Sequence, residues 1–129
     1  MPTIGECMSR RLLTIEPSST LGDASKQMVE RNVGSVVVVD GERVVGILTE
    51  RDILRAFAAE AGGSAPLREW MTHSPETCEP HETMEHAMTL MLHGGFRHLP
   101  VVEGDRLVGI LSLRDVVGVT SSDYAPRGV

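Results

Sequence analysis

The chain has 129 residues, 41% of them hydrophobic but only 3% aromatic, and a formal net charge of −6. That length fits one compact domain burying about two thirds of its unfolded surface, with a core of Val, Leu, Ile, Ala and Met and little ring surface for a base to stack on. The charge argues against a nucleic-acid partner, which calls for a basic face with interleaved aromatics.

The residues from Met1 to Glu6 lack the basic start and apolar run of a secretory signal. No apolar stretch approaches membrane-spanning length. Cys7 and Cys78 are too few for a disulfide framework and lack metal-motif spacing. A soluble cytoplasmic protein without membrane insertion is the expectation.

In chain order, the segment Leu13-Thr14-Ile15-Glu16-Pro17 reads as extended. A helix follows with Thr20 as N-cap, and Leu21, Ala24, Met28 and Val29 share one face at helical spacing. Val36 to Val39 is an unbroken β-branched run, the pattern of a strand covered on both faces. Asp40-Gly41-Glu42 predicts a tight turn, and Arg43 to Leu48 the returning strand. A second helix begins near Thr49.

After a Gly- and Pro-containing linker the order recurs. Glu76 to Pro80 is extended, Thr83 caps a helix with Met84, Ala87, Met88, Met91 and Leu92 on one face, and Leu99 to Val102 is a strand. Pro100 lacks a backbone donor and should sit at a strand start or edge. Glu103-Gly104-Asp105 turns the chain into Arg106 to Leu111, and a last helix begins near Ser112.

The recurrence is a repeat in register. Gly46-Ile47-Leu48-Thr49-Glu50-Arg51-Asp52 returns as Gly109-Ile110-Leu111-Ser112-Leu113-Arg114-Asp115, a shift of 63 residues (115 − 52). The same shift pairs Met8 with Met71, Thr14 with Thr77, Thr20 with Thr83 and Met28 with Met91. Such repeats arise where one unit cannot bury its apolar face alone. The predicted boundaries are 1–60 for repeat one, 61–70 for the linker and the start of repeat two, 71–120 for repeat two, and 121–129 for a flexible tail.

The paired order, with Gly-h-h-Thr/Ser-x-x-Asp after each last strand (h, apolar) and Met8-Ser9 and Met71-Thr72 opening the repeats, resembles a tandem cystathionine β-synthase (CBS) domain pair, or Bateman module. The resemblance covers roughly residues 4 to 120. It implies an α/β (α+β) fold of two pseudo-twofold-related β-α-β-β-α repeats packed through their sheets. It also implies a homodimer, and a non-catalytic regulatory module that binds AMP, ADP, ATP, S-adenosylmethionine or NAD in the clefts between repeats. The nucleotide would be a regulatory ligand rather than a required cofactor, and the signal would pass to an effector protein that the sequence does not identify.

By that resemblance Asp52 and Asp115 would take the ribose hydroxyls, a bidentate contact that discriminates strongly. Thr49 and Ser112, at helix N-termini with free N–H groups, would face the phosphates. Thr14, Ile15, Thr77 and Cys78 would line the adenine pocket, with Val36 and Leu99 on its other wall. Arg97 and His98 would meet phosphate, a guanidinium being a planar fork of donors; repeat one has Gly34-Ser35 there instead. Arg51 and Arg114 could screen phosphate charge.

Plainer readings stand beside these. Thr49-x-x-Asp52 and Ser112-x-x-Asp115 also read as capping boxes. Arg51, Arg97 and Arg114 also read as surface arginines, and Cys78 as a small buried hydrophobe. All five histidines (His73, His81, His86, His93 and His98) lie in repeat two. His86 and His93 are seven apart, too far along one helix for a shared ion, so no metal is expected. No nucleophile, base and acid arrangement appears, and Gly62-Gly63 and Gly94-Gly95 lack phosphate-loop spacing. The alternative function is a dimerisation or scaffold module with unused clefts.

Overall fold

In a computed structural model of the chain, the structure describes residues 2–120; the tail predicted over 121–129 lies outside the described residues. The elements are α1 (Ile4–Cys7), β1 (Thr14–Ile15), α2 (Leu21–Arg31), β2 (Ser35–Asp40), β3 (Arg43–Thr49), α3 (Glu50–Ala58), a 3₁₀ turn at Leu67–Glu69, β4 (Thr72–His73), α4 (Met84–Gly94), β5 (His98–Glu103), β6 (Arg106–Ser112) and α5 (Leu113–Thr120). The class is mixed α and β, as predicted.

The chain divides into two compact units. One holds Arg11–Pro75 with Gly104–Leu107. The other holds, within the described residues, 2–10, 76–103 and 108–120. The body of each repeat is thus joined by the segment that opens the other.

In the repeat-one unit, β1 runs parallel to β2 with Thr14 beside Val37 and Ile15 beside Val38. β2 and β3 form an antiparallel hairpin from the Ser35–Thr49 pair to the Asp40–Arg43 pair. Its turn is made by Gly41 at φ 66°, a left-handed conformation that glycine enters at little cost. Val36, Val37 and Val38 are almost wholly buried, which bears out a strand covered on both faces. β4 adds to the other edge of β3, placing Gly46 opposite His73. Leu13, Ile15, Leu21, Ala24, Met28, Leu48, Ala56, Leu67 and Met71 are among the residues that build the core.

The N-terminus of α2 carries the predicted cap. Thr20 and Asp23 form a reciprocal capping box, and the Thr20 N–H holds the Asp23 carboxyl below the usual range. The linker satisfies the next orphan donors, with Leu21 N–H on Ala65 O at 2.9 Å and Gly22 N–H on Gly63 O at 2.8 Å.

The repeat-two unit repeats this plan. Met84 N–H donates to Pro2 O at 3.1 Å, and Ile4 N–H to Glu82 O at 2.8 Å. Residues 2–4 therefore do at α4 what residues 65–67 do at α2. Ser9 and Ile110 exchange two backbone bonds, and the Met8 thioether covers Gly109 as Met71 covers Gly46. Cys78 forms a parallel bridge to Val101, with its N–H on Pro100 O and its carbonyl accepting from Val102 N–H. β5 ends the order of the named strands, but the Cys78 bridge runs beside it, so Pro100 sits within the strand where the pairing is reduced to that single bridge, rather than at a strand start or an open edge. Ile4, Cys78, Met84, Ala87, Met91, Leu99, Val101, Leu111 and Val116 form this core.

Two details depart from the periodicity. Val29 and Leu92, assigned to apolar helix faces, are 80% and 72% exposed; they sit at the stripe's margin, beyond the width each sheet covers. The sequence also suggests Glu82 as part of the polar side of α4 with Glu85 and His86, but Glu82 precedes the helix. Its carboxylate accepts from Glu79 N–H at 2.7 Å and pairs with His86 Nε2 at 2.8 Å.

Candidate functional site

In each unit the last strand runs directly into a helix, and the residue at the junction is a hydroxyl amino acid. Thr49 holds extended backbone (φ −116°, ψ 166°) and N-caps α3. Its Oγ1 accepts from Asp52 N–H at 3.4 Å, while Asp52 Oδ2 accepts from Thr49 N–H at 2.9 Å and from the Thr49 hydroxyl at 3.1 Å. Ser112 and Asp115 reproduce this box, with Oδ2 accepting at 2.8 Å and 3.0 Å and Asp115 N–H donating to Ser112 Oγ at 3.3 Å. The capping reading therefore holds in both repeats; with the first helical N–H on the residue before the neighbouring strand and the third on the cap, the N–H of Arg51 or Arg114 is left in each first turn.

Beyond the shared box the two corners differ. Asp52 is 8% exposed, and among the described residues it is the one buried charged side chain. Its second oxygen, Oδ1, accepts from Arg55 Nη1 at 2.9 Å. The Arg55 guanidinium lies 5.7 Å from the Trp70 ring centroid, within cation–π range. Among the described residues, every hydrogen bond to the Asp115 carboxylate falls on Oδ2. Gly118 stands at the position that Arg55 occupies in repeat one, and Asp115 is only half-buried.

The strand beside each corner also differs. Leu113 N–H donates to Arg97 O at 2.8 Å, so Arg97 lies against the first residue of α5, with half-buried His98 opening β5. In repeat one Glu50 N–H donates to Gly34 O at 3.0 Å, and Ser35 pairs with Thr49. Repeat two thus brings Ser112, Asp115, Arg97 and His98 to one strand–helix junction. Repeat one brings Thr49 and Asp52 together without a cation from the strand.

The remaining candidates are more scattered. Thr14 is exposed and Ile15 buried, both against β2. Thr77 is half-buried, and Cys78 is 2% exposed beside β5. Burial pushes the Cys78 thiol up to about 12, with Glu82 adding to the shift. That is the behaviour of a packed thiol rather than a nucleophile. Arg51 and Arg114 are exposed, and neither makes a hydrogen bond or ion pair to its corner. Among the described residues no group of three or more His, Cys, Asp or Glu could hold a metal ion. No helix there is long and apolar enough to cross a membrane.

Sequence reasoning missed Arg55, Trp70 and Gly118. The signal was present: Arg55 follows Asp52 by three residues, a spacing at which helical side chains meet, and the repeat shift places Gly118 opposite it.

Comparison with known proteins matches the family model for the CBS domain to residues 4–59 and again to residues 67–122. The CBS domain-containing protein YhcV of Bacillus subtilis is 34% identical over 117 residues, covering 90% of this chain and 84% of its own. The crystal structure of the CBS-domain containing protein ATU1752 from Agrobacterium tumefaciens is similar at a TM-score of 0.79 and 36% identity, over 86% of this chain and 90% of that one. The CBS domain protein PAE2072 from Pyrobaculum aerophilum, solved in complex with AMP, is similar at 0.83 and 27% identity, over 88% of each chain.

Proposed function

Because the chain belongs to the CBS domain family, we propose that it is a regulatory module without catalysis of its own, whose ligand is an adenine nucleotide of the AMP, ADP or ATP class. The observation that carries this reading is the junction of Ser112, Asp115, Arg97 and His98, which offers a carboxylate oxygen for ribose beside donors for phosphate. AMP bound to the similar PAE2072 protein supports the same ligand class. In this reading Asp115 accepts from the ribose hydroxyls through Oδ1. Ser112 and the Arg114 N–H in the first turn of α5 receive phosphate, and Arg97 and His98 neutralise it. Thr77 and Cys78 supply backbone and packing contacts to the base. Thr49, Asp52, Thr14 and Ile15 occupy the matching positions in repeat one, and Arg51 and Arg114 contribute charge at longer range.

Binding would act on a partner protein in the cytoplasm by favouring one conformation over another, which requires unequal affinity for the two. A homodimer fits this role. The exposed apolar residues Val29 and Leu92, and Leu54 and Val117, recur at equivalent positions of the two repeats, and Phe57 adds to them.

The second reading, a scaffold whose Asp residues only cap helices, is favoured by the complete capping boxes. Thermal unfolding with AMP, ADP, ATP, NAD and S-adenosylmethionine separates the two. A ligand that binds only the folded chain adds about 2.7 kcal/mol at a hundredfold excess over its dissociation constant. A rise with an adenine nucleotide, lost in Asp115→Asn, is expected. A cooperative transition that no compound moves would leave the scaffold reading.

A further inference from the structure

Asp52 and Asp115 hold equivalent positions in the repeat, yet only one has an oxygen to give. Asp52 Oδ2 is engaged by the cap and Oδ1 by Arg55 at 2.9 Å, with the guanidinium also held near Trp70. A ribose would have to compete with Arg55 for Asp52 Oδ1. At Asp115 the cap takes Oδ2, and Gly118 has no side chain to compete for Oδ1.

Two further differences run the same way. The first residue of α3 is Glu50, which sets a negative charge where a phosphate would meet the helix N-terminus; the first residue of α5 is Leu113. The strand residues hydrogen-bonded to those positions are Gly34 in repeat one and Arg97 in repeat two.

We propose that Arg55 and Glu50 close the repeat-one corner to nucleotide, so that the chain takes one adenine nucleotide, at the Ser112–Asp115 corner. This rests on the reading of the chain as an adenine-nucleotide binder and adds its stoichiometry and the residues that set it. The Arg55 side chain is 58% exposed, so its grip on Asp52 is screened by solvent and counts for about fivefold in competing affinity. Glu50 at the helix N-terminus adds about another fivefold against an anion. The missing strand cation removes about tenfold more, the worth of one charge-assisted hydrogen bond. The factors multiply to a corner that stays empty while the other fills.

The experiment is isothermal titration of the full chain with AMP, with a melting curve for each variant. Wild type is expected to bind one AMP per chain. Asp115→Asn should weaken that binding at least about tenfold. The double variant Glu50→Leu/Arg55→Ala should gain a second site, lost again on adding Asp52→Asn.

Two AMP per wild-type chain would overturn the proposal while keeping the nucleotide reading. So would binding lost in Asp52→Asn but kept in Asp115→Asn, or a folded double variant still at one site. Absence of binding in wild type and double variant alike would remove the nucleotide reading itself, and the proposal with it.

Discussion

Replacing Met71 and Gly46 singly and together tests the contact that ties the start of repeat two into the repeat-one unit. Met71 is 9% exposed, and a Cβ on Gly46 would lie 2.5 Å from its Sδ, 2.9 Å from its Cε and 3.1 Å from Thr72 O. Met71→Ala removes a buried side chain from a site with some access to water, so its cost falls near the low end for such changes, about 2 kcal/mol. At roughly 4 °C per kcal/mol, Tm drops by about 8 °C. Gly46→Ala drives a methyl into the thioether and costs about 2 kcal/mol through overpacking. In the double variant the sulfur is gone and only the Thr72 carbonyl still crowds the methyl, so the second change adds about 0.5 kcal/mol. Independent effects would sum to about 4 kcal/mol; about 2.5 is expected, a coupling of about 1.5 kcal/mol. Urea unfolding of the four proteins measures it. Additivity within about 0.5 kcal/mol would refute the idea that Met71 is what requires glycine at position 46.

Two other expectations concern pH and assembly. The folded Cys78 thiol titrates at about 12 against an ordinary 9.0, so above pH 9 the unfolded chain releases a proton that the folded chain keeps. Stability should therefore fall as pH rises from 9 toward 12; Cys7, also raised by burial, contributes in the same direction. Melting curves from about pH 8 to about pH 11, which cover the onset and most of that decline, should show a shallower fall in Cys78→Ala; an equal slope would remove Cys78 as the cause. For assembly, sedimentation of wild type should give a dimer and Leu54→Asp/Phe57→Asp a monomer. A dimer that survives both changes would place the interface elsewhere.

Much of this fold was legible because its signals are local. Thr20 and Thr83 cap the helices they precede, Val36 to Val38 of the valine run are buried, and Gly41 and Gly104 make the left-handed turns their neighbours announced. What escaped depends on tertiary partners. Nothing in Pro2-Thr3-Ile4 says that its carbonyl will satisfy Met84, and nothing in Gly46 says which sulfur lies above it. Val29 fits the helical stripe, yet only packing decides how wide a stripe is covered. At the site, the Thr/Ser-x-x-Asp boxes were readable in both roles, cap and ligand contact. The capture of Asp52 by Arg55 is invisible to the repeat pattern because it rests on a pair that does not match, Arg55 and Gly118.

The crosswise membership of the opening segments sets an order of events during synthesis. Ile4, fully buried in the finished protein, leaves the ribosome long before Pro80, Glu82 and Met84, which receive its segment. At about 5–20 residues per second that interval lasts several seconds. Throughout it Ile4 and Met8 are apolar side chains without the repeat-two residues that later cover them. The repeat-one body likewise waits for Leu67 and Met71. A gene cut at the linker would thus yield two fragments, each carrying the other's closing segment, and neither repeat can be transplanted by its sequence boundaries alone.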